Sequence, residues 1–492
     1  MSVPLSAAIV GGGFAGVGTA IKLRQAGIED IVVFERAERI GGVWQRNTYP
    51  GIACDVPSHL YSYSFARNPA WTKRYSDGAE IRDYVQACAE RFGVADLIRT
   101  GVAVESAVWD EQRALWRLTT SAGEHEARML ITACGQLTEP SIPSIPGLER
   151  FAGPAFHSAD WRDDVDLDGV RVAVVGTGAS AIQFVPRIAP KVKALHVFQR
   201  SAPWILPKPD RVYGPLDHRL FDAVPARQLA GRLANFALFE SAVPGFGPRP
   251  GALKPLELLG SALLRRQVPD PELRERLRPR DRVGCKRTLV SNEWYPTFNL
   301  PHVELVADRI TEVTDTAVVS ADGSAREVDA IIFGTGFDSN GFVAPMAISG
   351  RSGRKLSDVW DPIPHAYLGT SVAGFPNLFM VYGPNTGMGV GSAIHMLESQ
   401  IEHIGQAARL LARTRARSIE VRQQAQDEYN AMLRERLAGS VWESGCASWY
   451  IDDQGHDTTN WPGRMSEFRR RSARVDLAAY ALQLAPKPAI VA

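Results

Sequence analysis

Two short apolar runs along the chain are each followed by a glycine-rich turn. The runs and turns are residues 7–10 and 11–16 in the first unit, and residues 170–175 and 176–181 in the second. A helical pattern follows each turn, and β-branched second strands are expected at residues 31–34 and 194–198. This repetition predicts an α/β fold with two nucleotide-binding βαβ units.

Weaker patterns place further elements around these two units. Prolines 140, 143 and 146 with Gly147 mark a boundary between the units. Residues 207–279 follow a helical pattern, and we expect their apolar residues, such as Leu229, Leu233, Phe236 and Phe239, to pack in a core. The remaining expected elements are a helix at 78–93, a strand meander near 102–109, 115–119 and 129–132, a strand at 377–382 and a helix at 392–410.

The first turn has the form G-x-G-x-x-G, with Gly11, Gly13 and Gly16 at the fixed positions. Such a turn lets the backbone approach a pyrophosphate, which then lies at the N-terminus of the following helix. Glu35 lies 24 residues after Gly11, close to the distance at which an acid binds a ribose diol. The first unit is therefore expected to bind a dinucleotide with an unphosphorylated ribose, such as FAD.

The second turn has the form G-x-G-x-x-A, with Gly176, Gly178 and Ser180 inside it. The same 24-residue spacing leads to Arg200, and an alignment by the strand ends leads to Gln199. Neither residue is a carboxylate, and a guanidinium pairs with a 2′-phosphate, so this unit is expected to prefer NADPH. The alternative is that Arg200 is a solvated loop arginine.

These patterns predict two Rossmann-like dinucleotide-binding domains, one for FAD and one for NADPH, with a helical insert. The late strand and helix imply that the FAD-binding domain is discontinuous. The expected segments are 1–139 (FAD-binding domain, first part), 140–207 (NADPH-binding domain, first part), 208–282 (helical insert), 283–338 (NADPH-binding domain, second part) and 339–492 (FAD-binding domain, second part, with a C-terminal loop).

Composition and charge exclude some function classes without naming a partner. The 492 residues carry a formal charge of +1, with 45% hydrophobic and 22% charged residues, as in ordinary globular proteins. A balanced charge argues against a generally basic nucleic-acid binder. The apolar stretch at residues 3–21 is interrupted by glycines and has no preceding positive segment, so we expect neither an export signal nor a membrane span.

The five cysteines are Cys54, Cys88, Cys134, Cys285 and Cys446. Their wide spacing includes no CxxC pair, no zinc pattern and no framework of disulfides typical of secreted proteins. We therefore expect no metal site and a location in the reducing cytoplasm.

Two further motifs resemble the fingerprints of one enzyme family. Residues 151–161 read F-x-G-x-x-x-H-x-x-x-W and lie between the two nucleotide units. A second motif comprises residues 41–44, 49–51 and Asp55, in the form G-G-x-W-x-x-x-x-Y-P-G-x-x-x-D. With Lys286-Arg287 and residues 334–338, these motifs are similar to those of type I Baeyer-Villiger monooxygenases. Arg162 after the first motif departs from the family's usual Pro or Asp.

The resemblance implies an FAD-containing enzyme that uses NADPH and O2 to convert ketones to esters or lactones through a C4a-peroxyflavin. It implies Arg287 as the catalytic arginine and Asp55 as the carboxylate that positions this arginine. Arginine suits the role because it stays charged near neutral pH. His157 matches an interdomain linker, so a structural role is expected for it.

The resemblance also assigns cofactor contacts to individual residues. Arg200, Ser201 and Lys286 match the clamp for the 2′-phosphate, and Trp449 matches an indole on a mobile loop that closes over the nicotinamide cofactor. The complete set of expected cofactor-binding residues is Gly11, Gly13, Gly16, Glu35, Gly42, Trp44, Asp55, Tyr61, Val104, Gly176, Gly178, Ser180, Arg200, Ser201, Lys286 and Trp449. Trp44 and Tyr61 could equally be core aromatics.

Alternative functions differ in reaction class. A flavin monooxygenase that oxidises sulfur or nitrogen would share both nucleotide units. A pyridine-nucleotide disulfide reductase would share them too, but needs two neighbouring redox cysteines, which the spacing disfavours. A protein that only senses NADPH would have no need of Asp55 and Arg287. The class of ketone and the oligomeric state are left open.

Overall fold

The computed structural model of the chain describes residues 3–247, 249–339, 341–343, 345–446, 448–452 and 454–484. The helices are α1 (Phe14–Gln25), α2 (Val43–Arg46), α3 (Gly78–Arg91), α4 (Ala181–Ile188), α5 (Pro215–Ala223), α6 (Pro225–Phe246), α7 (Lys254–Gln267), α8 (Pro271–Arg276), α9 (Trp294–Thr297), α10 (Leu356–Val359), α11 (Ala393–Thr414), α12 (Gln423–Leu437) and α13 (Met465–Ser472).

The strands occur throughout the chain between these helices. They are β1 (Leu5–Val10), β2 (Ile31–Phe34), β3 (Ile98–Arg99), β4 (Val104–Asp110), β5 (Leu115–Thr120), β6 (Gly123–Thr132), β7 (Ala155–His157), β8 (Arg171–Val175), β9 (Ala194–Phe198), β10 (Ile205–Leu206), β11 (Leu289–Val290), β12 (Val303–Val306), β13 (Ile310–Val313), β14 (Ala317–Ser320), β15 (Ala325–Glu327), β16 (Ala330–Phe333), β17 (Ala347–Ser349), β18 (Leu378–Met380), β19 (Ala416–Val421) and β20 (Tyr480–Leu484).

The first sheet has the strand order β17-β4-β5-β6-β1-β2-β3, with β18 paired to β6 outside this path. Strands β1 and β2 are parallel, and all four residues of β2 are buried, as expected of a strand covered on both faces. Strands β4, β5 and β6 form an antiparallel meander, as the alternating pattern predicted. Strand β6 is shared, since its first half pairs with β5 and its last residues pair with β18.

The second sheet is fully parallel, with the order β12-β9-β8-β16-β7. Its strands β8 and β9 flank helix α4, which buries Ile182, Phe184 and Val185 against the sheet. This arrangement is a Rossmann-like unit. Together with the first sheet it confirms the predicted fold class, whereas the limits of the five segments remain predictions.

Helices α5 to α8 form the helical insert between β10 and β11. Arg232 of α6 donates hydrogen bonds to the carbonyl groups of His59, Leu60 and Ser62, which fastens the insert to the first nucleotide unit. The expectation that all apolar residues of this stretch form a core is wrong. Phe236 and Phe239 pack against buried residues, but Leu229 and Leu233 lie on the solvent side of α6, more than half exposed.

The C-terminal third returns to the first sheet. Strand β18 pairs with β6, and β17 pairs with β4. Helix α11 packs against α1, and both contribute to the largest hydrophobic core together with α3. The strand expected at 377–382 is β18 (Leu378–Met380), and the helix expected at 392–410 is α11 (Ala393–Thr414). The C-terminal third therefore adds strands to the first sheet, whereas its assignment to a discontinuous FAD-binding domain remains a prediction.

Candidate active site

Both glycine turns open into one cavity of about 1850 Å³. The cavity lies where strands β1 and β8 end, which is the usual ligand position in open parallel sheets. Pockets for one drug-sized ligand have volumes of roughly 300–1,000 Å³. The volume here exceeds that range, as a cavity shared by two dinucleotides would require.

The first glycine turn has no room for side chains. Gly11 has φ of +112°, and a Cβ built on it would lie 2.5 Å from the carbonyl oxygen of Ala133. A Cβ on Gly16 would lie 1.8 Å from the carbonyl oxygen of Gly11. Gly13 precedes helix α1 and lines the cavity, so the backbone itself forms the wall there. This geometry fits a pyrophosphate.

Glu35 lies at the end of β2, 8% exposed, and lines the cavity. Its carboxylate accepts hydrogen bonds from the backbone N–H groups of Gly12 at 2.6 Å and Ala37 at 2.8 Å. These bonds fix the orientation of the carboxylate and leave lone pairs on both oxygens. A ribose diol could therefore bind to an acceptor that is already in place.

The second glycine turn reproduces the first. Gly176 has φ of +107°, and a Cβ on it would lie 2.5 Å from the carbonyl oxygen of Gly334, at the end of β16. Gly178 and Ser180 line the cavity directly before helix α4. Gly11 packs against the carbonyl oxygen of Ala133 as Gly176 packs against that of Gly334. This similarity indicates two phosphate sites with the same backbone geometry.

Lys286 and Ser201 meet beyond the second turn, and Arg200 directly precedes Ser201 in the chain. Lys286 donates a hydrogen bond from Nζ to Ser201 Oγ at 2.8 Å. Arg200 is exposed and lines the same cavity. Lys286 also forms an ion pair with Asp281 at 2.6 Å, a partner that the sequence did not indicate. The group has the charge and donors to bind a phosphate.

Asp55 and Arg287 form a two-pronged ion pair on the cavity wall. Arg287 donates from Nε to Asp55 Oδ2 at 2.9 Å and from Nη2 to both carboxylate oxygens, at 2.8 and 2.6 Å. Asp55 is the chief cause of a raised pKa of Arg287, which keeps the guanidinium cationic. Nη1 makes no hydrogen bond to the described part of the chain, so one end of the guanidinium is available to a ligand.

The expected contacts of the flavin side all line the cavity. Trp44 Nε1 donates to Tyr61 Oη at 3.3 Å, and the two rings meet edge to face with centroids 5.7 Å apart. Gly42 precedes α2, and Val104 begins β4. All four residues line the cavity, and Trp44 and Tyr61 also pack against the main core.

The last two sequence-based expectations concern linker and loop residues. Trp449 lines the cavity with its side chain 39% exposed, and its carbonyl oxygen accepts a hydrogen bond from Ser339 Oγ. His157 is buried and accepts a hydrogen bond at Nδ1 from the N–H of Ala159. Burial chiefly lowers the pKa of His157. A neutral, backbone-bonded imidazole outside the cavity lining fits a structural role.

Gln183 was missed by the sequence reasoning. Its side chain lies on α4 of the NADPH-type unit and bonds to the FAD-type unit. Its Oε1 accepts from Tyr49 Oη and from the N–H of Ala53, each at 3.2 Å, while Nε2 donates to the carbonyl oxygen of Ala53 at 3.0 Å. In the sequence, the only feature that could have pointed to Gln183 is its position in the helix that follows the second glycine turn.

The cysteine spacing indicated no disulfide framework, but the structure contains one disulfide. Cys285 and Cys446 form a disulfide across 161 residues, with Cα atoms 6.3 Å apart, within the range that disulfides span. Cys54, Cys88 and Cys134 are free thiols. Two isolated cysteines so far apart in sequence give no pairing signal. Neither bonded cysteine lines the cavity, unlike the redox pair that a disulfide reductase requires beside its flavin.

Two negative findings apply to the residues that the structure describes. Within them, no group of three or more His, Cys, Asp or Glu side chains is arranged to hold a metal ion. Among the helices of these same residues, none has the length and apolar character needed to cross a membrane.

Comparisons with known sequences agree with this site. A family model described as pyridine nucleotide-disulphide oxidoreductase matches residues 8–215, which contain both glycine turns. The chain is 43% identical to a Baeyer-Villiger monooxygenase of Pseudomonas aeruginosa, over 98% of this chain and 92% of the relative. It is also 43% identical to a Baeyer-Villiger monooxygenase of Streptomyces coelicolor, over 98% of this chain and 93% of the relative.

Solved structures extend the likeness to the whole fold. A closed form of cyclohexanone monooxygenase matches with a TM-score of 0.89 and 28% identity, over 99% of this chain and all of the other. An oxidised steroid monooxygenase bound to NADP matches with a TM-score of 0.87 and 31% identity, over 98% of this chain and all of the other. OTEMO in complex with FAD and NADP matches with a TM-score of 0.88 and 26% identity, over 98% and 100%. The chain therefore belongs to the Baeyer-Villiger monooxygenases, the flavin-dependent family that its motifs indicated.

Proposed function

We propose that this chain binds FAD at the first glycine turn and NADPH at the second, and inserts one oxygen atom of O2 beside the carbonyl group of a ketone, giving an ester or lactone. The observation that carries the proposal is the Asp55–Arg287 pair on the wall shared by both cofactor regions. Membership of the family supports the reaction class. The identity of the substrate as a ketone is the more specific part of the proposal.

The fit of the cofactors rests on the chain's own groups. On the FAD side, Gly11, Gly13 and Gly16 would face the pyrophosphate and Glu35 the ribose. On the NADPH side, Gly176 and Gly178 would face the pyrophosphate. The 2′-phosphate would meet the cluster of Arg200, Ser201 and Lys286.

Bound flavin supplies hydride acceptance and oxygen activation, and the chain supplies the electrostatics around them. Negative charge develops on oxygen during transfer to a carbonyl group, and a fixed cation in a cavity shielded from water stabilises it. Arg287 provides this cation because arginine stays charged near neutral pH, and Asp55 holds two of its nitrogens. The unbonded Nη1 is the donor that would face the substrate oxygen.

Asp55 acts through Arg287 rather than on the substrate directly. Its two oxygens bind Nε and Nη2, which restricts the guanidinium plane to one orientation. Without that restraint the long arginine side chain would sample many rotamers, and less of the positive charge would lie where oxygen reacts. Asp55 is therefore a positioning residue in this proposal.

The product of turnover tests the reaction itself. Purified enzyme with NADPH, ¹⁸O2 and a panel of linear, cyclic and arylalkyl ketones should give esters or lactones that carry one labelled oxygen, detected by mass spectrometry. Sulfides and amines belong in the same panel. If only sulfoxides or N-oxides form, the enzyme is an S- or N-oxygenase and the proposal is overturned.

Replacement of Arg287 tests the role of its charge. Loss of one preorganised charge-stabilising donor lowers kcat by roughly 10²–10³-fold, so Arg287→Ala should lose ester formation to that extent. Bleaching of the flavin absorbance by NADPH without oxygen should persist. Arg287→Lys should retain part of the rate because it keeps a cation without the two-pronged bond. Exposed Arg282→Ala is the matched control, and normal ester yield from Arg287→Ala would remove Arg287 from the reaction.

A further inference from the structure

Tyr382 has a strained backbone conformation on the wall of the cofactor cavity. It lies two residues after β18, at the start of the loop that leads to α11. Its φ is +65°, in the left-handed region, which is costly for an aromatic residue because the side chain crowds its own backbone. Strained residues of this kind persist only where their surroundings hold them, and they cluster at functional sites.

The side chain of Gln400 on α11 holds this conformation in place. Gln400 is fully buried, and its Oε1 accepts a hydrogen bond from the N–H of Tyr382 at 2.8 Å. Its Nε2 lies within hydrogen-bond distance of the carbonyl oxygens of Leu368 and Gly369 and of Thr370 Oγ1, at 3.1, 3.0 and 3.0 Å. One buried amide therefore ties the strained N–H to a neighbouring turn, which fixes the backbone of Tyr382.

The phenol hydroxyl of Tyr382 is free to bind a ligand. Tyr382 lines the cavity together with Asp55 and Arg287, and its Oη makes no hydrogen bond to the described part of the chain. The hydroxyl groups of Tyr429 and Tyr450 also have no partner, but they are enclosed by protein, whereas that of Tyr382 is not. A ligand in the cavity can therefore reach this donor without displacing another bond.

Tyr382 is an electrostatic neighbour of the Asp55–Arg287 pair. Burial raises the pKa of Tyr382, and the opposing effect of Arg287 is smaller. The phenol therefore keeps its proton at neutral pH and acts as a donor. Since a charge shifts a pKa chiefly over short distances, the phenol and the guanidinium lie near each other. They provide one neutral and one cationic donor on the same wall.

We propose that Tyr382 is a second hydrogen-bond donor to the carbonyl oxygen of the substrate, beside Arg287. This inference rests on the proposed oxidation of ketones. Negative charge grows on the carbonyl oxygen during the reaction, and two fixed donors stabilise it better than one. The attachment to Gln400 orders the donor in advance, which lowers the entropy lost on binding. A sulfide has no oxygen to accept the bond, so Tyr382 favours ketones over sulfides.

The substitution Tyr382→Phe removes the hydroxyl and leaves the ring and the backbone. The kcat/KM for ester formation should fall about 10- to 100-fold, the range for a hydrogen bond to a charged oxygen. The kcat/KM for sulfoxidation and the anaerobic reduction of the flavin by NADPH should change little. Tyr429→Phe, which removes an unpaired hydroxyl outside the cavity lining, is the control and should match wild type. Equal losses with ketone and sulfide would overturn the specific role.

A double-mutant cycle tests whether both donors act on one oxygen. Arg287→Lys retains a cation, so ester formation can be measured in this background with and without Tyr382→Phe. Groups that share a partner have coupled effects, so the loss caused by Tyr382→Phe should differ between the two backgrounds by about twofold or more. Independent effects of the two substitutions would show that Tyr382 and Arg287 do not bind the same oxygen, which overturns the proposal.

Binding of 2-piperidone, a cyclic amide with a carbonyl oxygen, tests the donor without oxidation. Its Kd, measured from the change in flavin absorbance, should rise about 5- to 10-fold in Tyr382→Phe and stay constant in Tyr429→Phe. If wild type oxidises no ketone but this Kd depends on Tyr382, the proposed reaction falls and the donor role stands. If esters form while Tyr382→Phe changes neither the Kd nor the rate with ketones, the reaction stands and the donor role is overturned.

Discussion

Lys286 has fewer free donors than its position at the cavity suggests. An ammonium group has three N–H donors, and Ser201 Oγ and Asp281 already occupy two of them. One donor is left for a ligand, and Asp281 offsets part of the positive charge. Arg200, which lies exposed at the same end of the cavity, is therefore the residue on which recognition of a 2′-phosphate should chiefly depend.

Arg200→Ala should therefore impair NADPH use much more than NADH use. A hydrogen bond to a charged group is worth about 1.5–3 kcal/mol, so the KM for NADPH should rise by about 10- to 100-fold. The KM for NADH should change little, because NADH has no phosphate at that position. Steady-state oxygen consumption with each nucleotide measures both constants. Exposed Arg150→Ala in the same unit is the control, and equal changes for both nucleotides would contradict the phosphate role.

Between elements, ion pairs join the small antiparallel sheet β13-β14-β15 to the parallel sheet. Glu304 of β12 accepts hydrogen bonds from Arg326 of β15 at 2.6 and 2.8 Å. It also contacts His196 of β9 at 2.8 Å. These partners, Arg326 foremost, lower the pKa of Glu304 from 4.5 to about 2. One carboxylate thus connects three strands that are distant in sequence.

The lowered pKa gives a stability effect with a defined sign. Because the folded state holds Glu304 ionised, its contribution is complete above pH 4.5 and disappears as the pH falls toward 2. Glu304→Gln should lower the free energy of unfolding at pH 7 by about 1 kcal/mol, since water screens this partly exposed pair.

Urea unfolding of wild type and Glu304→Gln at pH 7 and at pH 3 provides the measurement. The difference between the two proteins should be smaller at the lower pH. Glu312→Gln, at an exposed position on β13, is the control and should show no such difference. A gap that widens on acidification would contradict the assigned ion pair.

At the scale of the whole molecule, Gln183 and the Asp55–Arg287 pair hold the FAD-type unit against the rest of the chain. Gln183 of α4 makes three hydrogen bonds to Tyr49 and Ala53. Arg287, beyond the helical insert, binds Asp55 of the first unit. The first of these connections carries no charge, but Gln183, Tyr49 and Ala53 line the cofactor cavity, so its role in holding the units together is measured by stability rather than by turnover.

Gln183→Ala should destabilise the contact between the two nucleotide units. Partly buried hydrogen bonds of this kind contribute about 1–3 kcal/mol together, so the urea midpoint should fall accordingly. Tryptophan fluorescence of the flavin-loaded protein follows the transition. Gln86→Ala removes a bond to Ile40 within one unit and is the control. An unchanged midpoint for Gln183→Ala would show that these bonds do not hold the units together.

Whether the sequence predicts a feature depends on how far apart in the chain the interacting residues lie. Gly11, Gly16 and Gly176 are required by close contacts at local turns, so their spacing was enough to predict both nucleotide units. Asp55 and Arg287 lie 232 residues apart, and only their resemblance to family motifs linked them. The Cys285–Cys446 bond and the Gln183 contacts have no motif of their own, so only the folded chain reveals them.

Strand β6 pairs with β5, β1 and β18, and this pairing determines when the first sheet can be completed during synthesis. Residues 130–132 of β6 await their partners at 378–380, which leave the ribosome about 250 residues later, or some 12–50 s at 5–20 residues per second. Through that interval the first sheet has an unfilled edge, whereas the second sheet, spanning residues 155–333, can already assemble. The first sheet is therefore completed after the second, although it begins earlier in the chain, and a nascent protein shortened before residue 378 would expose an open strand edge to aggregation.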